Sequence, residues 1–163
     1  MLALEAILTR VTVPLVKMTE PAPDDAALSR MLEAAAAAPD HGKLRPWRFL
    51  VVRGAGRERL GELFVKGLLA ERPETSGAEL EKQRTAPLRA PLIVVAIARL
   101  DPAHPKIPAW EQQASGACAV HNFLLAAHAM GFAAKWATGG NAASQHVQAG
   151  LGLGADESII GLL

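Results

Sequence analysis

Residues 91–98 read PLIVVAIA, eight positions without a polar side chain. A strand with one wet face alternates apolar and polar residues, so this unbroken run predicts a strand buried on both faces. The rest of the chain must then cover two sides of one strand. Residues 101–108 hold three prolines and read as loop, and 109–130 follow as a long helix rich in alanine and other small residues, ended at Gly131. Such a helix can pack closely against a partner.

Weaker patterns fill in the remainder. Leu4, Ile7 and Leu8 have helical spacing within residues 2–10, and 11–18 read as extended chain broken by Pro14. Asp24 and Asp25 are candidate caps for a helix whose stripe is Leu28, Met31, Leu32 and Ala35 and whose stop is Pro39. Residues 47–53 are strand-like, and Gly54-Ala55-Gly56 separates them from a helix over 57–71 with Leu60, Leu63, Phe64 and Leu68 on one side. That strand, GxG, helix order is not a dinucleotide fingerprint, because Arg59 stands where the third glycine belongs and no second strand follows to present an acid. Ser76 with Glu79 suggests a capping box for a charged helix to about residue 85, and Lys82, Arg84 and Arg89 read as a solvated face. Residues 133–137 read as a strand, 138–141 as a turn, 145–151 as a helix capped by Ser144, and 158–163 as a final strand. Gly150, Gly152 and Gly154 follow a helix, which marks a loop and not a phosphate cradle.

Composition narrows the class. A chain of 163 residues suits one domain, 1–163, with a real core and no internal repeat. Its net charge of +1 provides no field to draw nucleic acid or an anionic membrane. The opening MLALEAILTR carries Glu5 early and lacks the basic leader of a signal peptide, and no run reaches the roughly 18 apolar residues of a membrane span. One cysteine, Cys118, excludes an internal disulfide and agrees with a reducing compartment, so the expected location is cytoplasmic. Its place in an apolar helical pattern predicts a small buried core residue. His121 and His128 share a helical face seven residues apart, a pattern that fits buried or amphipathic histidines better than metal ligands.

The stretch 34–49, AAAAAPDHGKLRPWRF, joins the second helix to the first strand. Pro39 and Pro46 stiffen it, and Asp40, His41, Lys43 and Arg45 set four polar side chains on a short braced connection. It could hold a charged or planar ligand; its local features fit an ordinary connection with solvated charges as well.

Four separated segments, APDHGKLRPWRFLVV, RAPLIVVAIA, WEQQASGACAV and GFAAKWATG, occur in an order and register that resemble the flavin-dependent nitroreductase family, in particular its short single-domain NAD(P)H members. The resemblance spans nearly the whole chain. It implies an α+β fold, a mostly antiparallel central sheet flanked by helices, with the helix starting near Ala109 as the central dimerisation helix. It also implies an intertwined homodimer with FMN at the subunit interface.

By the same resemblance, Arg10 and Thr12 hold the FMN phosphate and ribityl chain, in a triplet whose middle position is Val11 where the family has a second arginine. Ala37 and His41 match positions near the flavin, with Ala37 in place of a larger basic side chain, and Trp136, Ala137 and Thr138 match the segment that meets the flavin from the partner's side. The family's final strand runs on into a basic phosphate contact and an embracing tail, which do not follow Leu163 here. Losing two such charged contacts, at roughly 1.5 to 3 kcal/mol each, would weaken FMN by about two to four powers of ten.

The implied activity is hydride transfer from NAD(P)H through FMN to a nitro compound, quinone or similar acceptor. Flavin carries that chemistry, so no catalytic side chain and no metal is expected. The alternative is a flavin-binding or flavin-less scaffold of the same fold without turnover. The expected partners are a second copy and a small-molecule acceptor, with neither nucleic acid nor membrane.

Overall fold

The computed structural model describes residues 2–163. Its centre is the apolar run at residues 91–98. Ile93–Arg99 (β2) lies between Trp47–Val52 (β1) and Glu157–Leu162 (β3) in an antiparallel sheet of order β1-β2-β3. Trp47 pairs with Ala98 and Val52 with Ile93, and β3 pairs through a register shift at Ala96/Ile97. Val94 through Ala98 are all buried. Successive side chains leave opposite faces of a strand, so β2 feeds two cores.

On one face Val94 meets Leu28, Met31 and Ala35 of helix Asp25–Ala36 (α2) and Ala119, Phe123 and Ala127 of helix Ala109–Ala129 (α5). On the other, Val95 and Ile97 meet Leu60 and Phe64 of helix Ala55–Glu71 (α3) and Val147 of helix Gln145–Gly150 (α7). Burying each such side chain contributes roughly 1.5–3 kcal/mol, which is why the run tolerates no polar residue. The sheet is thus antiparallel and covered by helices on both sides, an α+β arrangement.

Helix Ala3–Thr9 (α1) and helix Gly77–Thr85 (α4) complete the longer elements. Asp24 Oδ1 caps α2 by accepting from the Ala27 amide at 2.7 Å. Ser76 Oγ caps α4, while the Glu79 carboxylate, instead of closing a reciprocal box, pairs with Arg72 at 2.5 Å. Arg84 on α4 reaches Glu62 and Glu81. Across the sheet, Arg48 of β1 forms a two-point pair with Glu157 of β3, both contacts at 2.7 Å. These bonds hold the Glu157 carboxyl at about 2 against the opposing effect of burial, with the Gly154 amide also donating to it.

Other local expectations change as well. Residues 133–137 are not a strand: only Ala137 bridges to Leu162. The Trp136 indole lies over Gly161 and donates to the Ile160 carbonyl at 2.8 Å, taking an acceptor that a ladder residue would use. Gly140–Ala143 (α6) forms one helical turn where a plain turn was expected. Ser144 precedes α7, but its buried hydroxyl makes no capping bond. Cys118 is exposed, because the buried stripe of α5 runs through Gln112, Gly116, Ala119, Phe123 and Ala127 and leaves position 118 on the opposite face.

Candidate functional site

The expected site residues fall into two groups along α5, one at its last turn and one running from its middle, where α2 ends, to its first turn. The first forms where α1 ends. Thr9 Oγ1 donates to the Glu5 carbonyl at 2.7 Å and also lies 2.8 Å from His128 Nε2. A hydroxyl has one proton, so the His128 nitrogen is the donor in the second contact. Val13 then donates to the Ala134 carbonyl at 3.2 Å, which lays residues 10–13 beside 132–134. A hollow of about 30 Å³ lies between Arg10, Val11, His128 and Phe132.

Arg10 makes no ion pair among the described residues, and Thr12 is exposed. A guanidinium and a hydroxyl two residues apart can grip an anion. Trp136, Ala137 and Thr138 follow directly along the chain, with Trp136 exposed over β3. Residues 132–134, just before them, run beside Arg10–Val13 of the same chain, and the resemblance brings 136–138 to the flavin from the partner's side.

A larger cavity, about 450 Å³, opens nearby between residues 15–23, the start of β2 and loop 131–138. Met31, Phe123, Phe132 and Leu163 give it an apolar wall, and it includes Ala137 and Thr138. Arg10, Thr12, Ala37 and His41 all lie outside it; its own polar lining is Lys17, Thr19, Glu20, Lys135, Thr138 and Asn141.

The second group lies where α2 ends. Ala37 is the residue after α2 and is exposed. Asn122 of α5 donates to the Ala34 carbonyl at 3.1 Å, holding this end of α2 against the helix. Beyond Pro39 the chain turns tightly at His41–Lys43, with Gly42, Lys43 and Arg45 all at positive φ (73°, 55° and 50°). Left-handed conformations cost a side-chain-bearing residue roughly 1–3 kcal/mol and persist only where surrounding contacts impose them. Here Asp40 accepts from the Arg45 amide at 2.7 Å, Gly42 sits against Ile107, and His41 Nδ1 meets Glu111 Oε2 at 2.8 Å.

Glu111 stands in the first turn of α5, and its neighbour Gln112 points inward to clamp loop 101–108. Gln112 accepts from the Asp101 amide and donates to the carbonyls of Asp101 and Ile107, all at 2.8–2.9 Å. One turn of helix therefore braces both the 40–45 loop and the loop before the helix. Neither Glu111 nor Thr9 stands out in the sequence, and His128 reads there only as a buried or amphipathic histidine. Glu111 stood in plain view in the segment WEQQ, but only the fold brings it across seventy residues to His41.

From Glu111 to His128 is seventeen residues, or roughly 25 Å along a helix. One small ligand does not span from His41 to Arg10 in one protomer.

A family model described as "Nitroreductase family" matches residues 18–163. The chain belongs to the nitroreductase family. It is 37% identical over 161 residues to the Escherichia coli K12 protein named "Putative NAD(P)H nitroreductase YdjA", covering 99% of this chain and 85% of that one. The nitroreductase-like family protein from Bacillus cereus shares its fold with a TM-score of 0.83 at 24% identity, over 99% of this chain and 83% of that one. The nitroreductase with bound FMN from Bacteroides fragilis superposes with a TM-score of 0.71 at 25% identity, over 98% and 84% of the two chains. The residues of this nitroreductase-family chain also suit such a cofactor chemically: an uncommitted guanidinium for a phosphate, and an exposed indole and imidazole for a planar ring. Among the described residues, no helix is long and apolar enough to cross a membrane.

Proposed function

We propose that this chain is an NAD(P)H-dependent FMN oxidoreductase acting on nitro compounds, quinones or similar small acceptors, working as a cytoplasmic homodimer of one-domain subunits. The observation that carries the reading is the separation of Arg10, beside the last turn of α5, from His41, held at its first turn. If two copies pair their α5 helices antiparallel about a twofold axis, the Arg10 end of one comes beside the His41 end of the other, and each site is completed twice by symmetry.

The surface supports this. Leu4, Ile7, Leu8 and Val11 are 54–75% exposed on and just after α1, whose only buried residue is Ala6. Trp110, Cys118, His121 and Ala129 are exposed along one side of α5. An apolar helix left this open calls for a partner.

Bound FMN supplies the two-electron chemistry between nicotinamide and acceptor, so the protein needs no nucleophile. Arg10 holds the phosphate through its two-pronged guanidinium, and Thr12 adds a hydroxyl donor. Trp136, Ala137 and Thr138 line the same subunit's part of the site, while Ala37 and His41 form the wall given by the partner subunit, where the small Ala37 leaves room for a ring.

The test is one series. Light scattering reports the oligomer, FMN titration the binding, and anaerobic NADPH addition the bleaching of the bound-flavin band. Dimer, uptake and bleaching together support the enzyme, and Leu8→Glu should lose dimer and flavin at once. A monomer that binds FMN fully removes the two-copy site. Bound flavin that never bleaches favours the second reading, a flavin-holding scaffold without turnover, which the loss of basic side chains at Val11 and Ala37 motivates.

A further inference from the structure

We infer that Glu111 is a positioning residue that sets the tautomer and orientation of His41, so that the other ring nitrogen is presented to the flavin site. The inference rests on the flavin reading above and deepens it. His41 Nδ1 is held 2.8 Å from the Glu111 carboxylate, while Nε2 has no hydrogen-bond partner among the described residues and the side chain is 64% exposed. An ionised carboxylate only accepts, so Nδ1 must carry a proton and the neutral ring keeps its lone pair on Nε2. One nitrogen is anchored and the other is free for a ligand.

Most exposed ion pairs on a surface contribute little, and Arg30–Glu33 on α2 is one of that kind. The His41–Glu111 contact differs in what surrounds it. It joins positions seventy apart, and it fixes a turn whose backbone is already set by Gly42 against Ile107 and by Asp40 under the Arg45 amide. The Glu111 side chain is itself only 29% exposed and springs from a helical turn that Gln112 locks on its inner side. A ring carried on so rigid a support loses little freedom when a ligand binds, which is the usual purpose of a carboxylate behind a ligand-facing histidine.

The experiment uses the whole chain labelled with nitrogen-15 at histidine. Long-range proton–nitrogen spectra read the His41 tautomer without cofactor, with His41→Ala assigning the signal, and FMN titration reads affinity. In the wild type, Nδ1 is expected to be protonated; in Glu111→Gln, whose amide can donate as well as accept, a mixture of tautomers should appear. FMN binding should weaken about tenfold in Glu111→Gln, and the same change in a His41→Ala background should alter it by less than about twofold, because Glu111 acts through His41. Glu111→Ala repeats both readings should the glutamine variant fold poorly. An unchanged tautomer, or a loss of affinity that persists without His41, overturns the inference. A wild-type chain that takes up no FMN overturns the flavin reading separately, and the tautomer alone then decides what Glu111 does.

Discussion

Thr9 Oγ1 and His128 Nε2 meet at 2.8 Å, so the last turn of α1 is fastened to the last turn of α5 one residue before Arg10. Thr9→Val keeps the shape of the side chain and removes the bond. The lost contact is exposed and contributes about 1 kcal/mol or less to stability, so the melting temperature should barely move. FMN affinity should fall by about threefold to tenfold, since the guanidinium next along the chain is no longer aimed. Calorimetric titration beside a thermal melt separates the two effects, and equal affinity would show that Arg10 needs no such anchor.

Arg10 itself should matter more. A hydrogen bond to a charged group contributes about 1.5 to 3 kcal/mol, so Arg10→Ala should weaken FMN by at least about tenfold. Arg10→Lys should recover only part of this, because an ammonium cannot grip phosphate at two points. The reverse change is the sharper test: Val11 is 64% exposed, and Val11→Arg should tighten FMN by about tenfold at low salt. No gain would mean that position 11 does not face the phosphate.

Glu157 gives the fold a dependence on acid. Its folded-state value of about 2 lies below the ordinary 4.5, so its contribution is fully present above about pH 4.5 and is lost as pH falls toward 2. The carboxylate side chain is 10% exposed, but Arg48 is 38% exposed, and solvent screening discounts the contribution to on the order of 2 kcal/mol. Melting temperature measured from pH 6 to pH 2 should drop along this window. Glu157→Gln should start lower at pH 6 and descend less steeply, and parallel curves would assign acid sensitivity elsewhere.

Much of this was legible because the signals were local. The run at 91–98 declared a strand buried on both faces, Asp24 and Pro39 bracketed α2, and the small-residue stretch after Pro108 gave α5 almost to its ends. Residues 133–137 misled because their pattern could not show that Trp136 would fold over a glycine on β3 and take its neighbour's carbonyl. Cys118 misled because α5 is apolar on its open face as well as its covered one, so composition could not choose the side. For the site, Arg10, His41 and Trp136 came from resemblance. Their division between two ends of one helix, and the part of Glu111, depend on contacts between distant positions that no local pattern records.

Gly42 and Gly61 offer a comparison that separates the site from the scaffold. Gly42 is at φ 73°, and an added Cβ would run into the Cδ1 of Ile107; Gly61 on α3 would drive a Cβ into the Arg84 backbone carbonyl. Ile107 is a side chain at the foot of a surface turn, so the 40–45 loop can lift away and relieve Gly42→Ala locally, at a cost of roughly 1–2 kcal/mol. The Arg84 carbonyl belongs to the backbone of α4 packed on α3, which cannot yield without separating two helices. Gly61→Ala should therefore lower stability by more than about 2 kcal/mol in urea unfolding, while the fraction that remains folded binds FMN as the wild type does. Gly42→Ala should do the opposite, staying folded but losing FMN by about tenfold as His41 leaves Glu111. If Gly42→Ala binds FMN normally, the 40–45 loop is an ordinary connection, and the wall of the flavin site must be sought elsewhere.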